Sequence, residues 1–236
     1  VNIGYRPIIW HLMRYYAHFG HKDFILCLGY RGHMIREYFL NYNECLSNDF
    51  VLSSGGKDLH LLRTDIQDWR ITFADTGMNA NIGQRLKAVE RYLEGEEMFL
   101  ANYSDGLTDL HLPKLINYFL KLKKTAAFVS VKPNLSYHFV STTNGGLVTA
   151  INDISRTNIR VNGGYFVLRN EIFQYIKDGE DLVLEPFRRL IQKGRLAAYK
   201  HDGFFASMDT FKDKQYLDEI YGSGKAPWEV WRDSTS

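Results

Sequence analysis

The 236-residue sequence predicts an α/β fold with a mainly parallel sheet and crossover helices, on three observations. Strand-like runs alternate with helix-like segments along most of the chain, the order that builds βαβ units. The strand runs within Asp23–Gly29 and Met98–Leu100 are continuously apolar, as strands covered on both faces are. The second of these runs into a polar turn that holds Asp105 followed at once by Gly106, and open α/β sheets bind ligands in the crevice beyond the carboxyl ends of their strands.

Each element follows from its pattern. Pro7–Phe19 carries Ile8, Ile9, Leu12, Met13 and Tyr16 at helical spacing, with Gly20 placed to cap it. After the Asp23–Gly29 strand, Tyr30-Arg31-Gly32 turns into an amphipathic helix through Ile35, Tyr38 and Phe39. From Asn41 to Asp68 the periodicity fades into an excursion from the core, with Val51-Leu52 and Leu59–Leu62 as short edge strands. Trp69–Asp75 alternates as a strand should, and Thr76–Gln84 reads as a polar loop, placed to face a ligand, before a helix over Arg85–Leu93. Leu112–Leu122 is helical and Thr125–Val131 is a β-branched strand ending at Lys132-Pro133. Tyr137–Thr143, Leu147–Ile151 and Tyr165–Leu168 read as strands, joined by Asn144-Gly145-Gly146 and by a polar link from Asn152 to Arg160. A helix over Leu182–Gln192, a strand over Leu196–Tyr199, a short apolar run over Phe204–Met208 and a helix over Asp209–Ile220 complete the order. No internal repeat or domain linker interrupts it, so residues 1–236 are expected to form a single domain.

Composition bounds the function. With 45% apolar, 14% aromatic and 24% charged residues, the chain has the make-up of an ordinary globular protein. Its 29 basic and 27 acidic residues are well mixed, which argues against a polyanion surface and against nucleic acid as a partner. Cys27 and Cys45 form neither a disulfide framework nor a metal spacing, as expected of a reducing, cytoplasmic compartment. No apolar run reaches membrane-spanning length, and no signal peptide is expected.

Asp105 and Asp209 each follow an apolar run and precede a turn or helix start, so both are candidates for one crevice as paired oxygen ligands for Mg²⁺. Such an ion suits displacement at phosphorus, where it neutralises phosphate oxygens. Each residue also has a plain structural reading: Asp105 as a turn aspartate beside glycine, and Asp209 as the N-cap of the last helix.

Five blocks of sequence resemble the glucose-1-phosphate cytidylyltransferases, a sugar nucleotidyltransferase family. They are Val1–His11, Tyr103–Asp109, Val161–Leu168, Met208–Lys214 and Gly224–Trp231, in matching order and spacing over essentially the whole chain. The resemblance implies a Rossmann-like mixed, mainly parallel sheet flanked by helices. Its nucleotide-binding half is expected at about 1–110 and its sugar-phosphate-binding half at about 111–236. It implies Mg²⁺ held by Asp105 and Asp209, the expected catalytic pair. Arg85 and Gly83, with Ser104 and Gly106, are expected at the nucleotide, CTP by preference. Asp153, Arg156, Asn162 and Gly163 are expected at the sugar 1-phosphate. A homo-oligomer making nucleotide sugars for polysaccharide synthesis is also implied. On residue chemistry alone, Arg85 reads equally as a surface arginine in a first helical turn, and Asn162-Gly163 as a tight turn.

Three departures from the family pattern bear on function. The family's Gly-rich N-terminal loop falls ahead of Val1. Asp153-Ile154-Ser155 replaces Glu-Lys-Pro, with Arg156 as the nearest substitute for the lysine. Ala80, Ile82 and Gln84 stand where the family carries two hydroxyl residues and a glycine. The sequence thus leaves three readings: a sugar-1-phosphate cytidylyltransferase, the same chemistry with a changed nucleotide or acceptor, and a catalytically weak binding subunit. Aromatic residues near both ends, Trp10, Tyr15, Tyr16, Phe19, Trp228 and Trp231, fit either core packing or a subunit interface.

Overall fold

The computed structural model describes residues 1–133, 138–153 and 158–232. A short hairpin of β1 (Asn2–Ile3) and β2 (Arg6–Pro7) leads into α1 (Ile8–His18), which starts at Pro7 and ends at Gly20, whose φ of +90° is open to glycine. Then follow β3 (Asp23–Leu28), α2 (Gly32–Leu40), β4 (Phe50–Ser53), β5 (Asp58–Leu61), β6 (Arg70–Asp75), α3 (Ile82–Val89), β7 (Met98–Asn102), β8 (Gly106–Thr108) and α4 (Leu112–Leu122). The second half holds β9 (Ala126–Val131), β10 (His138–Thr142), β11 (Val148–Asp153), β12 (Val161–Arg169), α5 (Glu185–Gln192), β13 (Leu196–His201), β14 (Phe205–Ser207) and α6 (Phe211–Gly222).

The central sheet has the order β13-β9-β12-β7. β13 runs parallel to β9, and β12 runs antiparallel to both β9 and β7, so three of its four strands share one direction. Its middle strands are covered on both faces. Ala127, Val129 and Val131 of β9, with Tyr165 and Val167 of β12, pack on one side against α1 and α4. Ala126 and Phe128, with Phe166 and Leu168, pack on the other against Leu86 of α3, Ile172 and α5. That period of two across a doubly covered sheet is the expected α/β architecture. β3 and β6 pair in parallel as a separate two-stranded sheet among the described pairings.

Several boundaries differ from expectation for local reasons. β4 and β5 form their own antiparallel hairpin rather than edge strands of the main sheet. α3 starts three residues early, because Asn81 accepts from Gln84 N while the Gln84 side chain accepts from Asn81 N, a capping box. Gly83 and Gln84 therefore lie in the helix and not in the loop. α5 starts three residues late, with Pro186 in its first turn. The expected strand start at Tyr137, and Ile154, Ser155 and Arg156, lie outside the described residues.

The terminal aromatics are largely core: Trp10, Tyr15, Tyr16 and Trp228 are buried, and Phe19 and Trp231 pack against the same cluster. His11, fully buried, ties the two ends together. It accepts at Nδ1 from Trp228 Nε1 (3.4 Å) and donates from Nε2 to the Ile3 carbonyl (3.2 Å), and burial pushes its pKa down to about 4. Among the described residues no helix is long and apolar enough to cross a membrane.

Candidate active site

Asp105 and Asp209 are brought together by a piece of structure that the sequence does not announce. β8 and β14 form a short antiparallel ladder with Phe205 opposite Thr108, Ala206 opposite Leu107 and Ser207 opposite Gly106. Asp105 immediately precedes β8, and Asp209 lies two residues beyond β14, so both sit at the same end. The ladder is extended there by Met208 N donating to the Asp105 carbonyl at 2.9 Å. The N-cap of α6 is Thr210, which forms a capping box with Asp213. The Asp209 carboxylate is thereby released from capping, and accepts from Ser207 Oγ at 2.7 Å.

The two carboxylates sense each other. The Asp105 carboxyl is raised above the usual aspartate range, first by burial and next by the Asp209 charge. Two adjacent carboxylate oxygen donors suit a hard divalent cation such as Mg²⁺. They are a pair: the described residues hold no cluster of three metal-ligating side chains.

The Asn162–Gly164 segment reaches the same place by an unexpected route. It is not a turn before a strand but the start of β12, at a register shift between Asn162 and Phe166. Because β12 runs antiparallel, its first residues lie at the carboxyl ends of β7 and β9, with Val161 opposite Val131 and Tyr165 opposite Asn102. Asn162 Oδ1 accepts from Gly164 N (2.9 Å), and its Nδ2 donates to Tyr103 Oη (3.2 Å). Gly164 has φ of +74° and a side chain there would overlap the Tyr103 ring, so only glycine fits. Gly106 is buried in β8, where an added Cβ would lie 3.7 Å from the Gly163 carbonyl. Ser104 is exposed beside Asp105.

Arg85 occupies the carboxyl end of the β3–β6 pair. Its Nη1 donates to Thr76 Oγ1 at 2.7 Å, and its guanidinium lies so close to Gly29 that a Cβ there would come within 2.7 Å of it. Gly29 was not apparent as a site residue, although a glycine closing a strand was the available signal. Gly83 has a different place from the one expected: buried in the first turn of α3, it lets the helix meet the Glu180 carbonyl, where any side chain would collide.

The loop at 179–182 joins the two regions. Asn81 Nδ2 donates to the Gly179 carbonyl at 2.9 Å, and Gly83 packs on residues 180–182. On the other side, the Tyr103 hydroxyl is raised by burial and then by the Asp181 carboxylate, with Asp105 adding a smaller push. Asp153 ends β11 and is exposed on the β10–β11 hairpin, and Arg156 lies outside the described residues.

No protein-family model matches the chain. The glucose-1-phosphate cytidylyltransferases of Salmonella typhimurium and Salmonella typhi are each 36% identical to it over 233 residues, covering 98% of this chain and 90% of theirs. Among solved structures, a UDP-glucose pyrophosphorylase complexed with UDP-glucose superposes with a TM-score of 0.66 at 13% identity, covering 95% of this chain and 89% of that one. That likeness shows the nucleotide-diphospho-sugar transferase fold. With the identity to the Salmonella enzymes spanning nearly its full length, the chain belongs to the glucose-1-phosphate cytidylyltransferase family of sugar nucleotidyltransferases.

Proposed function

We propose that the protein joins CTP and α-D-glucose 1-phosphate into CDP-glucose. A phosphate oxygen of the sugar 1-phosphate attacks the α-phosphorus, the bond from that phosphorus to the oxygen bridging to the β-phosphate breaks, and pyrophosphate leaves with that electron pair. The observation that carries this reading is the convergence of Asp105 and Asp209 at one end of the β8–β14 ladder, close enough that the Asp209 charge raises the Asp105 carboxyl.

In this reading Asp105 and Asp209 hold Mg²⁺, which when bound neutralises charge on the phosphate oxygens and orients them for in-line displacement. Arg85, with Thr76 fixing one edge of its guanidinium, faces the nucleotide in the N-terminal half, and Ser104 and Gly106 flank Asp105 beside it. Asn162 and Gly163 contact the sugar phosphate, and Asp153 and Arg156 are assigned to the same ligand. Asn162 is held by Gly164 and Tyr103, so its amide is oriented before any ligand arrives, which lowers the cost of binding.

The departures in the nucleotide segment have a structural reason that supports this reading: Gln84 completes the α3 capping box, and Ile82 is the helix's first residue. These replacements serve the helix start, which still presents Arg85. Replacing Arg85 with Lys removes the planar fork. It is expected to raise the KM for CTP about tenfold while changing the KM for the sugar phosphate less than twofold, measured by steady-state pyrophosphate release.

Free Cys27 and Cys45 fit a cytoplasmic enzyme. Exposed apolar residues on the β4–β5 and β10–β11 hairpins, among them Phe50 and Leu52 on the first and Phe139 and Ile151 on the second, fit a homo-oligomer, and sedimentation at a single-chain mass would contradict it. The function itself is tested by pyrophosphate release from full-length protein against panels of triphosphates and sugar 1-phosphates. Release with CTP and glucose 1-phosphate above every other pair supports it. Release with another pair alone moves the assignment to a changed specificity, and release with none identifies a binding subunit.

A further inference from the structure

We infer that His201 and Asp109 form a positioning pair that fixes the register of the β8–β14 ladder and so sets the separation of the two metal-binding carboxylates. The inference rests on the metal role proposed for Asp105 and Asp209.

The ladder needs such a fixture. It has only three residue pairs, and an isolated two-stranded ribbon of that length is marginal in water. None of the described strand pairings joins it to the main sheet. Its register matters more than its length, because a slip of one residue moves every side chain to the opposite face and would separate Asp209 from Asp105.

Two side-chain ties hold it to the sheet. At the carboxylate end the buried Tyr165 hydroxyl, from β12, donates to the Gly106 carbonyl at 2.9 Å. At the far end His201, the last residue of β13, places Nε2 2.8 Å from Asp109 Oδ1 and 3.4 Å from the Phe204 carbonyl. The same Phe204 carbonyl accepts from Thr108 Oγ1 (2.8 Å) and from Asp109 N (3.3 Å). Asp109 follows β8 and Phe204 precedes β14, so one imidazole contacts both strands and is itself carried by a third. The chain leaves no slack around it. A Cβ on Gly203 would lie 2.5 Å from Asp109 Oδ1 and 2.7 Å from the His201 ring, so a side chain there would push against the pair itself.

A tie of this kind acts on the metal ligands without touching them, through the ladder that carries them, and its loss is expected to weaken metal binding by about the tenfold that marks the low end for outer partners bonded to ligands. The test uses Mn²⁺ in place of Mg²⁺, with binding to the full-length protein followed by its electron paramagnetic resonance signal in the presence of CTP, alongside steady-state kinetics. His201→Ala is expected to raise the Mn²⁺ Kd at least tenfold and to lower kcat, with the sugar-phosphate KM changed less than twofold. His201→Gln, whose amide nitrogen can replace Nε2 as donor to Asp109, is expected to recover most of the affinity. Should His201→Ala fail to fold, Gly203→Ala, which crowds the pair without removing it, is expected to weaken Mn²⁺ binding in the same way. Mn²⁺ affinity within twofold of wild type in whichever of those two variants is folded would overturn the inference, as would a Gln variant no better than the Ala one. Failure of the wild-type protein to bind Mn²⁺ would instead overturn the metal role on which it rests.

Discussion

Asp105→Asn is expected to lower the rate of pyrophosphate release by about 10³-fold or more while making the metal-free protein more stable. The first effect follows from removing an anionic oxygen donor from a site that stabilises transferring phosphate, where a bound metal supplies several kcal/mol. The second follows from the carboxyl's environment. Burial and the Asp209 charge raise the pKa of Asp105 in the folded protein above its unfolded value, so the folded state holds that proton more tightly than the unfolded chain. Stability of the metal-free protein therefore falls as pH rises through the interval between the ordinary aspartate value and the raised one, and the deficit persists at neutral pH. Asparagine, nearly isosteric and uncharged, removes it. An increase in Tm of roughly 1–4 °C is expected at pH 7 without metal, with the pH dependence in that interval flattened. Added Mg²⁺ should stabilise the wild type more than the variant. A variant less stable than wild type in metal-free buffer would contradict the electrostatic account of the pair.

The second large effect is on stability. Asp65→Ala should cost about 3–5 kcal/mol, because it strands the Arg6 guanidinium in a nearly water-free site. Arg6 is 1% exposed and pairs with Asp65 at 3.3 Å. Its Nη1 donates to Tyr38 Oη (3.0 Å) and its Nη2 to the Asn43 carbonyl (2.9 Å) and to Ser47, while the guanidinium lies 4.2 Å from the Tyr42 ring centroid. Tyr42 in turn donates to Asp65 at 2.7 Å and accepts from Trp10 Nε1 at 2.7 Å. This network fastens the first hairpin and α1 to the end of α2 and to the poorly patterned residues 41–65. Urea unfolding should show the loss as a lower midpoint, equivalent to a fall in Tm of roughly 6–20 °C. A loss below about 1 kcal/mol would mean that the arginine finds water or another acceptor when Asp65 is gone.

The two cases mark what sequence could and could not carry. Asp105 was legible because a strand end, an Asp-Gly pair and a matching family block coincide there. Asp209 was legible as a residue but ambiguous in role, since Asp-Thr before a helix fits a cap from either residue; the Thr210–Asp213 capping box resolves it. Leu112–Leu122 was read residue for residue because its apolar spacing is complete and Pro113 starts it. The Arg6–Asp65 network was invisible, since its members are up to 59 positions apart and polar residues in an aperiodic stretch read as loop. The β8–β14 ladder was missed for a similar reason: three-residue strands carry too little pattern, and what pairs them is a tertiary tie through His201. On residue chemistry alone Asn162-Gly163 fits a tight turn as well as a sugar contact, because glycines usually mark turns, whereas here the glycines let a bulged strand pass the Tyr103 ring.

The most direct test of the central claim is Mn²⁺ binding by full-length protein with CTP, compared among wild type, Asp105→Asn and Asp209→Asn. One ion per chain that depends on the nucleotide and is weakened at least tenfold by either substitution is the expected result. Equal Mn²⁺ affinity in all three proteins would contradict it, and would move the metal, and with it the site of phosphorus chemistry, away from the end of the β8–β14 ladder.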